Sequence, residues 1–183
     1  MAEKTKESCL ICQIVANRVP SYKIYEDDLA LAVLDVNGAN PGHCFVMSKN
    51  HYPIIEQVPD KEIANMFSIA NNISSAIFDN LKVQGTNIFV ANGIPAGQTI
   101  AHFMINVIPR QENDGINLQW KPKQLTEEEI STVELKLKEQ VKNVGVEKVE
   151  MPEKPKAVSE NAEMPSIDDS EDDYTARQLR RIP

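Results

Sequence analysis

NGIPAGQTIAHFMINVIPR, residues 92–110, joins a turn rich in glycine to a segment in which apolar and polar residues alternate. Alternation with period two is typical of a β-strand that buries one face. The face expected to join a core carries Phe103, Ile105 and Val107. The opposite face, which becomes the candidate site, carries His102, Met104 and Asn106.

The segments around this stretch predict an α+β fold with an antiparallel meander of about five strands. Besides the strand that follows Gly97, short β-branched and aromatic runs favour strands at residues 22–26, 29–34, 42–48 and 86–92. Residues 60–81 instead have helical periodicity. Their apolar stripe consists of Ile63, Met66, Phe67, Ala70, Ile73, Ile77, Phe78 and Leu81. This long helix is expected to pack across the sheet.

The composition predicts one folded domain followed by an extension. The chain has 183 residues, 42% of them hydrophobic, which suffices for one core of roughly 100 to 150 residues. We place the domain at residues 8–112 and the extension at residues 113–147. In the extension, Thr126 and Glu129 match a capping box that opens a helix running to about Val144.

Residues 148–183 are expected to form a disordered acidic tail, because prolines and charged residues leave no apolar period there. The tail ends in a basic and apolar segment that contains Arg177, Leu179, Arg180, Arg181 and Ile182. Two interpretations stay open. The segment is a solvated appendage, as charge runs usually are, or a short motif that folds on a protein or RNA partner.

Charge and hydropathy argue against several classes of function. The formal net charge is −8, whereas a broad surface for nucleic acid or anionic lipid needs an excess of lysine and arginine. The sequence contains no apolar run long enough for a membrane span, and MAEKTKESC at the N-terminus lacks an apolar signal core. We therefore expect a cytoplasmic protein that does not associate with membranes.

Two of the three cysteines form a CxxC motif at Cys9 and Cys12. The motif lies in a short apolar segment that predicts a brief helix ended by Pro20. In a reducing compartment this spacing is more typical of metal or redox chemistry than of a disulfide framework. The alternative is a pair of buried thiols. The third cysteine, Cys44, lies in an apolar strand pattern and is expected to join the core.

Several of these motifs, taken in order, resemble the histidine-triad (HIT) family, whose signature is a Gly-Gln turn followed by HxHxH and an Ile-Pro-Arg ending. The matching parts are the CxxC motif, LDVNGANPGHCFVMSKNH at residues 34–51, the long helix, and residues 92–110. The resemblance covers residues 8 to 110. It implies a HIT-like fold and the homodimer that is usual in the family.

The triad itself is degenerate in this sequence. Alignment on Gly97-Gln98 puts His102, Met104 and Asn106 on its three positions. In the family the second histidine attacks the α-phosphate of a nucleotide conjugate. A thioether is a poor nucleophile toward phosphorus, and an amide cannot shuttle a proton. The resemblance therefore implies that no catalytic residue is intact; the alternative is another nucleophile, for which His43 is the spare histidine.

The resemblance also implies a structural zinc site. It places Cys9, Cys12, His51 and His102 on the four ligand positions of the zinc-binding branch of the family. Two thiolates and two imidazoles suit tetrahedral Zn²⁺, and a metal held by such distant segments would staple them together. Buried thiols and a core histidine satisfied by protein partners are the alternative.

Part of a purine-nucleotide pocket is implied as well. The residues concerned are Asp35, Asn92, Gln98, Thr99 and Asn106. By resemblance, Asp35 would approach the ribose, while Asn92, Gln98 and Thr99 would face the phosphates. Backbone amides of the turn at residues 93–98 would add donors. The alternative is turn chemistry alone, because asparagine, glycine and threonine favour such loops without any ligand.

Three functions remain open from the sequence. The preferred one is a zinc-stapled HIT domain that binds a purine nucleotide or nucleotide conjugate without turnover and acts as a sensor or adaptor. The second is a nucleotide hydrolase or transferase with altered chemistry. The third is a scaffold whose pocket is idle and whose C-terminal segment docks onto a partner.

Overall fold

The structure of the chain is a computed structural model that describes residues 6–141. The chain divides into two compact units, Met1–Lys121 and Pro122–Pro183, which are described separately. No helix within residues 6–141 is both long and apolar enough to cross a membrane. The tail predicted at residues 148–183 lies outside the described residues. The domain boundaries inferred from the sequence therefore stay predictions.

Five strands form the sheet of the first unit: β1 (Lys23–Glu26), β2 (Ala30–Leu34), β3 (Cys44–Ser48), β4 (Gly85–Phe89) and β5 (Met104–Arg110). They lie side by side in the order β1-β2-β3-β5-β4, and every neighbouring pair is antiparallel. The predicted α+β fold with a five-stranded antiparallel sheet is confirmed. Strand β5, which lies within residues 92–110, is hydrogen-bonded to β4, the strand that precedes it in the sequence.

Two helices accompany this sheet: α1 (Leu10–Val15) and α2 (Asp60–Leu81). Two short 3-10 turns, Ile55–Gln57 and Ile94–Ala96, lie in the loops. The bounds of α2 are those predicted from its periodicity. Pro59 precedes the helix. Because proline has no backbone N–H, it leaves no such donor without a partner at the helix start. Lys82 ends the helix in the left-handed conformation, with φ of 52°.

The alternation of side chains along the strands separates two apolar clusters, one on each face of the sheet. Residues on one face, including Phe103, Ile105 and Val107, pack with Met66, Ile69, Ala70 and Ile77 of α2. On the other face, Leu31, Val33 and Met47 pack with Ile11, Met104 and the two thiols of the CxxC motif. The sheet is thus covered on both faces, and α1 and the signature strand meet on the second.

The buried side of α2 differs from the predicted stripe at three positions. Phe67 and Leu81 are partly exposed, at 39% and 45%, whereas Ile69 is buried. Leu81 lies at the end of the helix, where its Cδ1 approaches the backbone of Gly42. Gly42 has φ of +91°, and a Cβ there would lie 2.5 Å from that methyl group. Only glycine fits this close approach.

The second unit contains one described helix, α3 (Glu127–Val141). The predicted capping box forms at its start. The Thr126 N–H donates to Glu129 Oε2 at 2.8 Å, and the Glu129 N–H donates to Thr126 Oγ1 at 3.3 Å. These two bonds satisfy donors that the first turn of a helix otherwise leaves free. The predicted end near Val144 lies outside the described residues.

Candidate functional site

The four predicted metal ligands lie together beside α1. Cys9 is the residue before α1 and Cys12 lies in its first turn, while His51 follows β3 and His102 precedes β5. Their ligand atoms all lie within 4.8 Å of one another. A backbone hydrogen bond from His102 N–H to Ile100 O, 2.8 Å long, keeps this histidine out of the strand. Alternation alone had placed His102 on the strand with Met104, yet β5 begins two residues later.

The distances between these atoms match the edges of a tetrahedron around zinc. With Zn–S near 2.3 Å and Zn–N near 2.0 Å, a sulfur to nitrogen edge is about 3.5 Å and a nitrogen to nitrogen edge about 3.3 Å. Nδ1 of His102 lies 3.5 Å from Cys9 Sγ and 3.7 Å from Cys12 Sγ. Nδ1 of His51 lies 3.3 Å from Cys12 Sγ and 3.3 Å from His102 Nδ1. The donor set therefore fits Zn²⁺ in both chemistry and spacing.

The second nitrogen of His102 is held by the end of β3. Nε2 lies 2.8 Å from the Ser48 carbonyl oxygen and 3.2 Å from Ser48 Oγ. A proton on Nε2 therefore donates to Ser48, which leaves the Nδ1 lone pair directed at the thiols. Burial lowers the pKa of His102 to about 4, so the ring stays neutral as a metal ligand requires.

The thiols need a cation if both are to ionise. Burial, followed by the charge of the neighbouring Cys9, raises the pKa of Cys12 to about 11. Two adjacent thiolates in a buried position repel each other unless a metal ion offsets their charge. All three cysteines are free thiols in this structure. The cluster therefore has the character of a metal site rather than of a disulfide.

A cavity of about 430 Å³ opens on the same face of the sheet, next to α1. Four of the five residues expected to contact a nucleotide line it: Asp35, Gln98, Thr99 and Asn106. Asn92 does not line it. Its Oδ1 accepts the Ile55 N–H at 3.1 Å, and its Nδ2 donates to Glu56 Oε1 at 2.8 Å. The amide of Asn92 thus joins two loops of the fold.

The side-chain amide of Gln98 is also used within the protein. Its Nε2 donates to the carbonyl oxygens of Pro53 and Ile100 at 2.6 and 3.0 Å, and its Oε1 accepts the Gly93 N–H at 2.8 Å. Both of its donors and one acceptor position are therefore occupied. Gln98 fixes the shape of the signature turn and ties it to the loop that carries His51.

The backbone of the signature turn closes on itself in the same way. The N–H groups of Ala96 and Gln98 donate to Gly93 O at 3.0 and 3.2 Å, and that of Gly97 donates to Ile94 O at 3.0 Å. Gly93 and Gly97 adopt φ values of +89° and +90°, which favour glycine. Of the amides expected to serve as phosphate donors, those of Ala96, Gly97 and Gln98 are thus already paired.

Met104 and Asn106 line the cavity from β5. Met104 lies opposite Met47 in the register of β3 with β5 and packs in the apolar cluster beside α1. Asn106 is half-buried. Within residues 6–141, the side chains of Asn106 and Thr99 form no hydrogen bond. The side chains of Ser21 and Asn37, which also line the cavity, likewise form no hydrogen bond within residues 6–141, so the wall carries several free neutral donors.

His43, the spare histidine, also contributes to the cavity lining. Its Nδ1 accepts the Ala39 N–H at 3.1 Å and lies 3.5 Å from Asp35 Oδ2. Its Nε2 is buried and has no partner within the described residues. Neither nitrogen is placed to attack a ligand in the cavity, because one is hydrogen-bonded and the other is covered.

Sequence analysis missed the apolar walls of this cavity. They are formed by Leu10, Ile14, Val19, Pro20, Phe45 and Met47. Leu10 and Ile14 are four residues apart in the helix that carries the CxxC motif, which places both on one helical face. This spacing was the sequence feature that could have indicated an apolar wall. One short helix thus carries thiols of the candidate metal site and a wall of the cavity.

Comparison with known proteins gives a consistent match. A family model described as "HIT domain" matches residues 16–113. The adenylylsulfatase HINT3 of Arabidopsis thaliana is 39% identical over 109 residues, which are 60% of this chain but only 55% of that protein. The alignment thus leaves nearly half of the plant protein unmatched.

Two solved structures have the same fold. A HIT family protein from Bacillus anthracis is 32% identical, with a TM-score of 0.69 over 73% of this chain and 97% of that chain. A Zn-bound histidine triad family protein from Mycobacterium smegmatis is 29% identical, with a TM-score of 0.59 over 75% of this chain and 98% of that chain.

Proposed function

Since the chain belongs to the HIT domain family, we propose that it is a nucleotide-binding member without nucleotidyl hydrolase or transferase activity, acting as a sensor or adaptor. Its ligand is a purine nucleotide or nucleotide conjugate, held in the cavity beside α1. The name of the Arabidopsis relative, an adenylylsulfatase, supports an adenylyl compound as the first ligand class to test.

The observation that carries this proposal is Met104 on the cavity wall. A thioether has no proton to give. Met104 also lies opposite Met47 and packs among apolar residues, so no adjacent base activates it. Covalent catalysis divides phosphoryl transfer into two easier steps only when a nucleophile with a lone pair of suitable basicity is present. Without it, the cavity can bind a ligand but has no route to a nucleotidyl-protein intermediate.

A replacement nucleophile is not supported by the surroundings. His43 is the remaining histidine outside the metal cluster, and its nitrogens are hydrogen-bonded or covered. Asn106 offers an amide, which neither attacks phosphorus nor transfers protons near pH 7. The contacts around the cavity therefore favour binding over turnover.

We further propose that Cys9, Cys12, His51 and His102 hold one structural zinc ion. The spacing of the donor atoms supports this assignment, and the zinc-bound mycobacterial relative supports the choice of metal. When bound, zinc supplies charge for two thiolates and a link between distant segments. Because two of the proposed zinc ligands are thiolates, we expect the protein to work in a reducing compartment such as the cytoplasm.

The test combines binding with turnover on the full chain. Zinc-replete protein is screened by thermal shift against AMP and adenosine, and is then incubated with adenosine 5′-phosphosulfate and an adenosine phosphoramidate. The proposal expects stabilisation by at least one adenine compound and no product above the uncatalysed rate. Product formation, or a trapped nucleotidyl-protein, would support the enzyme alternative. Absence of both binding and turnover would leave the scaffold alternative.

A further inference from the structure

Resting on the proposed function, we infer that the cavity recognises the nucleoside part of its ligand and gains no affinity from a 5′-phosphate. The cavity thus selects an uncharged purine nucleoside, or a conjugate bound through its nucleoside end, over the charged monophosphate. Three properties of the cavity wall carry this inference: its charge, its free donors and its apolar area.

The cavity wall offers no positive charge to a phosphate. Among the described residues that line it there is no lysine or arginine. The one carboxylate, Asp35, lies 3.5 Å from His43 Nδ1. The wall therefore carries a carboxylate and no lysine or arginine to offset it. A phosphate that enters must lose water beside a carboxylate without a compensating cation, which is unfavourable.

The donors of the signature turn that usually replace such a cation are largely occupied. The Gln98 side-chain amide bonds to Pro53, Ile100 and Gly93. The N–H groups of Gly93, Ala96, Gly97 and Gln98 all bond within the turn. The free side-chain donors on the wall, which belong to Ser21, Asn37, Thr99 and Asn106, are neutral. Hydrogen bonds to a phosphate from neutral groups are weaker than those from charged donors, so they do not offset its dehydration.

The rest of the cavity matches a nucleoside. Its apolar wall, formed by Leu10, Ile14, Val19 and Pro20, suits the faces of a purine base. Asp35 is half-buried, and its Oδ1 accepts the Asn37 N–H at 2.9 Å while acceptor capacity remains. A carboxylate of this kind suits vicinal ribose hydroxyls, which are donors. Base and sugar therefore find complementary groups, and the phosphate does not.

The test is isothermal titration calorimetry of the zinc-replete full chain with adenosine and with AMP at matched ionic strength. We expect adenosine to bind at least as tightly as AMP. AMP binding more tightly than adenosine would overturn the inference and leave the proposed nucleotide-binding function intact. Failure of both compounds to bind would overturn both proposals.

Two variants test the cause. Met104→His combined with Asn106→His returns two imidazoles to the cavity wall, and we expect it to shift the preference toward AMP by roughly tenfold. Met104→Leu, a swap of similar volume, is the matched control and should keep the preference of the natural chain. Asp35→Asn should weaken adenosine binding, because the ribose loses its acceptor, and should shift the preference toward AMP, because the carboxylate beside the phosphate is gone. An unchanged preference in the double variant, or a lost one in the control, would contradict the assignment.

Discussion

At the scale of single residues, the proposal of binding without turnover depends on position 104. The pairing of β5 with β3 places Met104 opposite Met47. By resemblance, this position is the second of the triad, where the family has an imidazole. Because a thioether fills space well and adapts to irregular gaps, we expect the substitution to remove the chemistry without disturbing the apolar cluster around it.

We expect nucleotidyl transfer to require both missing imidazoles. Met104→His alone restores a nucleophile but leaves Asn106 beside it, so we predict little turnover. Met104→His with Asn106→His should produce a trappable nucleotidyl-protein on incubation with adenosine 5′-phosphosulfate, as detected by intact-mass spectrometry. Losing covalent and acid–base catalysis costs several orders of magnitude in rate. Trapping of the same adduct on the natural chain would show that Met104 does not block the reaction.

A second residue-scale prediction concerns Asp114, which organises the turn after β5. It bonds to Arg110 Nε at 2.6 Å, accepts the Ile116 N–H at 3.0 Å and accepts Asn40 Nδ2 at 3.0 Å. Arg110, followed by the backbone N–H of Ile116, holds the pKa of Asp114 well below its usual range. A depressed folded-state pKa contributes stability above the unfolded value, near 3.9, and loses it as pH falls further.

Asp114→Asn should therefore lower the melting temperature at pH 7. The difference in melting temperature between the variant and the natural chain should become smaller below about pH 4. Thermal unfolding followed by circular dichroism across this pH range measures both. Glu112→Gln, an exposed acidic side chain in the same turn, is the control and should show little change at either pH. A gap that stays constant into acid would mean that the carboxylate charge is not what stabilises the turn.

At the scale of elements, local periodicity was sufficient for most of the fold. The predicted bounds of α2 agree with the structure, because a stripe of period 3.6 between Pro59 and Lys82 leaves few alternatives. The strands agree to within a few residues. What periodicity could not give was the start of β5, because the turn that displaces His102 depends on contacts with Tyr52 and Pro53, far away in the sequence.

The same limit applies to the candidate site. Resemblance brought the four metal ligands together by residue number, and the structure places their atoms within reach of one ion. It could not indicate that the amides of Asn92 and Gln98 are engaged by loops around Ile55 and Pro53. Whether a polar side chain is available to a ligand is a property of the whole hydrogen-bond network.

Gly42 supplies an element-scale prediction. Gly42→Ala puts a methyl group 2.5 Å from Leu81 Cδ1 and 3.2 Å from Pro109 Cγ, at a φ of +91°. We expect a loss of about 1–3 kcal/mol in the free energy of unfolding, measured by urea denaturation. Gly97→Ala is the matched control, because Gly97 has φ of +90° and a Cβ there meets no atom within 4 Å. An equal effect at the two glycines would rule out the contact between α2 and the β3 entry as the cause.

Helix α1 supplies another element-scale prediction. Its polar contacts to the rest of the described fold run through Cys9 and Cys12, while its Leu10 and Ile14 line the cavity. Cys9→Ser with Cys12→Ser should abolish the binding of about one zinc per chain, and should weaken adenosine binding roughly tenfold through loss of the ordered wall. Elemental analysis and calorimetry measure the two effects. Cys44→Ser, in a core strand away from the cluster, controls for thiol loss and should retain the metal.

At the scale of the whole molecule, we expect the family's homodimer to form through β4. This strand is an edge of the sheet, and edges with exposed apolar residues favour pairing. Ile88 and Phe89 of β4 and Phe67 of α2, the helix packed against this strand, are each more than a third exposed. Phe67 was assigned to the core stripe from the sequence, and a partner subunit would explain why an aromatic residue is left partly uncovered.

Sedimentation velocity of Ile88→Lys tests this surface. We predict a shift from dimer to monomer at micromolar concentration, because an unpaired charge buried in an interface costs several kcal/mol. Ile24→Lys, on the opposite edge strand β1, is the matched control with similar exposure and should stay dimeric. If the natural chain sediments as a monomer, the proposed dimer is wrong. If only Ile24→Lys dissociates the dimer, the interface lies at β1 instead of β4.

The order in which the proposed zinc ligands occur along the chain has a consequence for biosynthesis. Cys9 and Cys12 are made first, and His102 follows Cys12 by 90 residues. Until β5 has been synthesised, the thiols can gather at most one imidazole of the set, so the coordination of any metal they acquire is completed later. A newly made chain therefore carries a reactive dithiol for most of its translation, so its folding yield should depend on the reducing power and zinc supply that the growing chain encounters.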